Sequence, residues 1–148
     1  LARRSAQALT LLRVDVDGML ALNDRVGHET GDSVIVSLAS LLRARLRSSD
    51  VVARIGGDEF LVLLPNTSPD AGVALAEGLR SLTGELTPLD AIDQLTVSVG
   101  VASFPLDAES PRDLLDAAER ALTSAKSAGG NRVFAVEPPD PWLLLEDS

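Results

Sequence analysis

Cysteine is absent from this chain, and histidine and tryptophan each occur once in 148 residues. Without cysteine there is no disulfide, no thiolate nucleophile and no thiolate metal site, which fits a reducing compartment; cytoplasm is the expected location. One histidine, His28, makes neither a triad nor a zinc site and is read as structural. Positive charge is also scarce: 13 Lys and Arg stand against 22 Asp and Glu, a formal net charge of -9. Such a balance argues against a nucleic-acid polymer as partner, because backbone binding depends on basic patches that neutralise phosphates. A small phosphorylated ligand stays open, since a bound metal supplies local positive charge that the global sum hides. No uncharged apolar run of about 18 residues and no signal-peptide pattern is present, so no membrane contact is expected of a chain read as soluble.

What the chain does have is apolar residues, 45% of the total, enough for one domain with a sizeable core. Leu9 to Val16 reads as a buried strand, interrupted by Arg13 and ending in Asp15-Val16-Asp17, with Gly18 breaking it. Met19 to Arg25 predicts a short helix. Thr30-Gly31-Asp32 supplies N-cap chemistry for a longer one, with Val34, Leu38, Leu41, Leu42 and Leu46 on its buried face. Val51 to Ile55 and Phe60 to Leu64 are predicted strands, and the loop Pro65 to Pro69 caps a helix from about Asp70 to Leu82. A polar stretch leads to a strand over Leu95 to Phe104, then a helix from Pro111 to about Ala128, ended by Gly129-Gly130, and a short strand from Arg132 to Val136.

That order predicts an α/β fold, an α+β sandwich whose central mixed, largely antiparallel sheet is flanked by helices. Residues 1–136 are expected to form the domain. Residues 137–148, with Pro138, Pro139, Pro141 and the apolar cluster Trp142 to Leu145, are expected to be a C-terminal tail or linker.

Between the two central strands lies Arg54-Ile55-Gly56-Gly57-Asp58-Glu59-Phe60. Glycine takes positive φ at little cost, so Gly56-Gly57 predicts a hairpin turn whose backbone a ligand can approach closely. Two acids there would repel an anion such as a triphosphate unless a divalent cation lay between, and hard cations such as Mg2+ prefer carboxylates together with substrate phosphates. A solvated hairpin with acidic tips is the competing reading. Asp15, leaving the first strand, joins Asp58 and Glu59 at one sheet edge if the strands are adjacent, and such a cluster would bind Mg2+.

Asp15-Val16-Asp17, Asn23-Asp24, Gly27-His28, Gly31-Asp32, Gly56 to Phe60, Ser98 to Val101 and Ala125-Lys126 fall in the order and spacing of GGDEF domains, and over Leu9 to Val136 the chain resembles a diguanylate cyclase. The resemblance implies a fold like the nucleotidyl cyclase and polymerase palm, with the GGDEF motif on a β-hairpin. It implies condensation of two GTP into cyclic di-GMP with loss of two pyrophosphates, at the interface of a homodimer holding one GTP per domain and serving an upstream sensor. Asp15, the Val16 carbonyl and Asp58 would hold Mg2+, with Mn2+ as substitute, and Asp58 or Glu59 would help activate the 3'-hydroxyl. Asn23 and Asp32 match the guanine-reading positions, with Asp32 accepting from donors that adenine does not offer. Gly56, Gly57 and Lys126 match phosphate-binding positions, although Lys126 also suits a helix C-terminus. Arg47 and Asp50, in an Arg-x-x-Asp arrangement five residues before Gly56, match the site at which the family binds its own product.

This chain departs from the pattern in places. Met19-Leu20 stands where the family has Phe-Lys, and Gly130 where it has arginine, so two cationic phosphate partners are missing; Arg132 is a substitute in the wrong register. Gly78 replaces a further product-site arginine, with Arg80 expected to face elsewhere. The family's N-terminal Asp-x-Leu-Thr-x-Leu-x-Asn-Arg run is expected to be missing. The alternative function is therefore a catalytically silent domain that binds GTP or cyclic di-GMP and regulates a partner. A purely structural dimerisation domain would not account for the spaced acids and glycines.

Overall fold

The structure, a computed structural model, describes residues 8–136; the expected tail at 137–148 lies outside them. The chain forms β1 (Leu9–Val16), α1 (Met19–Val26), α2 (His28–Arg45), β2 (Val51–Arg54), β3 (Glu59–Pro65), α3 (Pro69–Thr83), a 3-10 turn (Gly84–Leu86), β4 (Val97–Phe104), α4 (Pro111–Ser127) and β5 (Val133–Ala135). One five-stranded sheet has the order β2-β3-β1-β4-β5. Every neighbour pair is antiparallel except β4 with β5, which is parallel. This is the expected mixed, largely antiparallel sheet, with β1 at its centre.

Strand alternation divides the side chains between two faces. Leu12, Val14 and Val16 of β1 join Phe60, Val62 and Leu64 of β3 and Val97, Val99 and Val101 of β4 in a core closed by Val34, Ile35, Leu38 and Leu42 of α2 and Ala76 and Leu79 of α3. The other face carries Leu11 and Ala102 beneath Leu114, Ala117 and Ala118 of α4. Each fully buried Leu, Val or Phe contributes about 1.5–3 kcal/mol relative to exposure, so the first face dominates stability. Gly100 decides how closely α4 sits on the second face: a Cβ there would collide with backbone atoms of Ala118 and Leu122. The helix rests on the strand where a side chain would otherwise stand.

Helices α3 and α4 start as their sequences predict. Ser68 accepts from the Ala71 N–H at 3.2 Å and Ser110 from the Asp113 N–H at 3.1 Å, each followed by a proline at the start of the helix. The start of α2 differs from expectation. It begins at His28 with Gly27 as N-cap and no side-chain cap, so Thr30, Gly31 and Asp32 lie inside its first two turns. The packing reason is at Gly31, where a Cβ would overlap the Asn23 side-chain oxygen of α1. This glycine makes room for a neighbour and does not punctuate a helix. Strand ends also move by one or two residues: the Ile55 N–H bonds the Glu59 carbonyl at 2.9 Å and belongs to the turn. Leu95 N–H is taken by Thr87 Oγ1 at 2.9 Å, before β4 begins.

Candidate active site

The exit of β1 meets the β2–β3 turn by strand register. Asp15 lies opposite Glu59 on one side and Ser98 on the other, and the Val16 N–H donates to the Asp58 carbonyl at 3.0 Å. The acids separated in sequence therefore share one sheet edge, as the hairpin reading required. Arg54 stiffens the turn, its Nε donating to the Gly56 carbonyl at 3.0 Å and its Nη2 to the Gly57 carbonyl at 2.6 Å. Neither Gly56 nor Gly57 has a positive φ, which corrects the sequence argument for them. Their value is space: nothing lies within 4 Å of a Cβ built on Gly57, and only Glu59 Cβ, at 3.8 Å, near one on Gly56. The turn is open to a bulky ligand.

Lys126, near the end of α4, reaches over the same edge. Its Nζ lies 3.0 Å from Asp15 Oδ2 and 3.4 Å from Asp17 Oδ1. The two aspartates differ in how they are satisfied. Asp17 accepts from Thr96 Oγ1 at 2.8 Å, Ser98 Oγ at 2.7 Å and the Asn131 N–H at 2.9 Å as well as from Lys126. Burial pushes its pKa up, but those donors outweigh it and the net shift is downward. Asp17 is thus a spoken-for carboxylate that ties β1, β4 and the α4–β5 loop together.

Asp15 is the opposite case. Its Oδ1 is buried and has no hydrogen-bond partner. Burial raises its pKa from 3.8 to about 6, Lys126 opposes that, and the negative fields of Asp58 and Glu59 add to it. For Lys126, burial acts downward but the hydrogen bond and charge of Asp15, with Asp17, leave its pKa raised. A buried oxygen without a donor, flanked by further carboxylates, is an incomplete site that a cation would complete. Among the described residues no three His, Cys, Asp or Glu side chains converge closely enough to hold a metal alone. A cation here would have to be shared between Asp15 and oxygens brought by a ligand.

A further pair went unread in the sequence. Arg13, the charge that interrupts β1, donates from Nε to Glu59 Oε1 at 2.9 Å and from Nη2 to Glu59 Oε2 at 3.5 Å. Its Nη1 lies 3.8 Å from Glu119 of α4. The signal was present as a lone arginine in an apolar strand, but its partner depends on register.

Asn23 projects from α1 toward α2 with its Oδ1 buried and without a partner. Asp32, one residue beyond Gly31, is exposed on α2. The helix pair thus holds an unsatisfied amide oxygen on α1 and an exposed carboxylate on α2. His28 is exposed at the first position of α2. Where basic residues were missed, Leu20 is 76% exposed and Gly130 is buried at φ +74 with the Asp17 carboxylate 3.1 Å from a built Cβ. Arg132 folds back, its Nε on the Gly130 carbonyl at 3.0 Å. Arg80 bonds Glu77 and Asn131, while Arg45 Nη2 lies 3.2 Å from a Cβ built on Gly78.

Arg47 and Asp50 stand at the far end of the hairpin. Arg47 Nη2 bonds Asp50 Oδ1 at 3.1 Å, the Pro65 carbonyl at 2.7 Å and Thr67 Oγ1 at 2.8 Å. The Asp50 side chain is 3% exposed, against 56% for Arg47, so only the arginine presents itself to solvent. The pair latches the α2–β2 connection to the end of β3.

Comparison with known proteins places these features in a family. The family model described as diguanylate cyclase, GGDEF domain, matches residues 1–132. Diguanylate cyclase A of Treponema denticola is 36% identical over 129 residues, 86% of this chain and 35% of its own length. Diguanylate cyclase TpbB of Pseudomonas aeruginosa is 39% identical over 152 residues, 99% of this chain and 34% of its own. The chain thus spans about a third of the length of the curated relatives it matches. Among solved structures, the active GGEEF domain of a diguanylate cyclase from Vibrio cholerae superposes with a TM-score of 0.85 at 29% identity, covering 93% of this chain and 88% of that one. The GGDEF domain of DgcB from Caulobacter crescentus, in complex with c-di-GMP, gives 0.81 at 30% identity over 88% and 79%.

Proposed function

Because the chain belongs to the GGDEF domain family of diguanylate cyclases, we propose that it condenses two GTP into cyclic di-GMP, with one GTP held by each of two facing copies. Each 3'-oxygen forms a bond to the α-phosphorus of the other nucleotide, the bond from that phosphorus to pyrophosphate breaks, and each 3'-hydroxyl gives up its proton. The balance is two GTP to one cyclic di-GMP and two pyrophosphates. The observation that carries this reading is the unpartnered, buried Asp15 Oδ1 beside the Gly56-Gly57 turn, with Lys126 3.0 Å from the same carboxylate.

Asp15, Asp58 and the Val16 carbonyl would hold Mg2+, or Mn2+ in its place, which when bound polarises phosphoryl oxygens and neutralises developing charge. The open backbone at Gly56 and Gly57 admits the phosphates, and Lys126 supplies the cation for them. Asn23 and Asp32 orient guanine, the carboxylate accepting from the base's N1–H and amino group. Asp58 stands next to the reacting centre as proton acceptor, and water exclusion falls to the facing copy. The cytoplasm, where GTP is plentiful, is the compartment this reading requires, with an upstream sensor to bring two copies together.

Incubation of the domain at high concentration with GTP and Mg2+, with nucleotides resolved by ion-exchange chromatography, tests the proposal. Cyclic di-GMP is expected from wild type and none from Asp58→Ala; product that survives in that variant overturns the site. A second reading is a silent domain that binds nucleotide and regulates a partner. Exposed Leu20 and buried Gly130, at positions where cations were expected, favour it. GTP binding without product from wild type would decide for that reading.

A further inference from the structure

The geometry points to Arg13 as the positioning residue that divides labour between the two adjacent acids of the turn, holding Glu59 back so that Asp58 alone is free for the cation. The inference rests on the metal site proposed above. Asp15 and Glu59 are cross-strand partners, and Arg13 lies two residues before Asp15 on the same strand face. From there its planar fork reaches both Glu59 oxygens, at 2.9 and 3.5 Å, a two-pronged grip that fixes orientation as well as charge. Arg13 and Glu59 are 17% and 23% exposed, so water competes little for either group. The backbone adds to the separation: the Asp58 carbonyl is pinned by the Val16 N–H at 3.0 Å. No side-chain hydrogen bond or ion pair holds Asp58 among the described residues.

Three carboxylates, Asp15, Asp58 and Glu59, crowd this edge. If all three were free, a cation would draw them together and Glu59 would compete with ligand oxygens for its coordination sphere. Arg13 neutralises Glu59 and anchors it toward the α4 face, where Glu119 shares the guanidinium at 3.8 Å. The sphere keeps its open positions for phosphates. A strand otherwise chosen for apolar burial carries an arginine at this one point because the site needs a counter-charge there.

The test measures cation affinity directly. Mn2+ is titrated by electron paramagnetic resonance into the protein alone and with 3'-deoxy-GTP, which lacks the attacking hydroxyl. In Arg13→Leu the released Glu59 is expected to tighten Mn2+ binding about three- to tenfold, while the rate at saturating metal falls and the GTP KM changes little. Adding Glu59→Gln to that variant should return Mn2+ affinity to the wild-type value, which a merely structural role would not do. Arg13→Lys keeps the charge without the fork and should give an intermediate affinity; it carries the same test if the leucine variant fails to fold. Unchanged or weaker Mn2+ binding in a folded Arg13 variant, or no reversal by Glu59→Gln, overturns the inference. If wild type binds Mn2+ alone but ignores the nucleotide, the GTP reading fails while the role of Arg13 is still decided by the metal alone.

Discussion

Replacing Asp15 by asparagine should make the unliganded domain more stable at neutral pH and less able to load cation and nucleotide. The fold raises the Asp15 pKa from 3.8 to about 6, first through burial and then through Asp58 and Glu59, against the pull of Lys126. A carboxyl whose folded-state value lies above its unfolded one holds its proton more tightly in the fold, so stability is lost as pH rises from about 4 through about 6. That difference corresponds to at most about 3 kcal/mol. The side chain retains 19% exposure, and screening by solvent and salt reduces the effect to about 1–2 kcal/mol. For a domain of this size the variant should melt about 3–6 °C higher at pH 7.5. The gain should shrink as pH falls through that window and approach zero only below about pH 4, where Asp15 is protonated in the unfolded chain as well. Asp17, whose lowered pKa acts in the opposite sense, is present in both proteins and cancels from the difference. Melting followed by circular dichroism in metal-free, nucleotide-free buffer across that range measures the effect. Adding Mn2+ and 3'-deoxy-GTP should reverse the ranking, since a ligand at a hundredfold its Kd stabilises by about 2.7 kcal/mol. An asparagine variant that melts below wild type at pH 7.5, or pH curves that run parallel, would refute the reasoning.

Gly100→Ala places a Cβ against the Ala118 and Leu122 backbone and should cost about 1–3 kcal/mol or more, seen as a lower urea midpoint with an unchanged slope. Arg47→Ala should weaken cyclic di-GMP binding at least about tenfold by calorimetry, because the ligand's phosphates lose a forked, charge-assisted partner. Equal affinities would remove the product-site reading.

The fold was legible because its apolar periods are unmixed. Leu12, Val14 and Val16 alternate with Leu11, Arg13 and Asp15, and the two sets do go to opposite faces. The loop ending at Pro69 and the proline at Pro111 announced α3 and α4 for a local, stereochemical reason. The start of α2 was misplaced because Gly31 is dictated by Asn23 of another helix, and sequence spacing carries no record of such an overlap. At the site, Asp15 and Lys126, both read from the sequence, lie 3.0 Å apart, and Asp58 is tied to β1 through its carbonyl. Two further members were not foreseen: the Asp17 network gathers donors from Thr96, Ser98 and Asn131, and the Arg13 grip on Glu59 exists only in one strand register. Long-range polar pairings of this kind are set by register, which local pattern underdetermines.

The close approach of Asn23 to Gly31 also sets a rule for anyone engineering this domain. Glycine inside a helix is the usual first target for stabilisation, since alanine gains about 0.5–1 kcal/mol in helix propensity. In α3, Gly78 accepts that exchange at the expense of moving only the flexible tip of Arg45, 3.2 Å away. In α2 the same exchange at Gly31 would push the Asn23 oxygen out of its seat. A thermostability library that treats the two positions alike would enrich for folded proteins with a displaced Asn23 side chain, so selection at position 31 has to be scored on the guanine contact proposed for Asn23 and never on melting temperature alone.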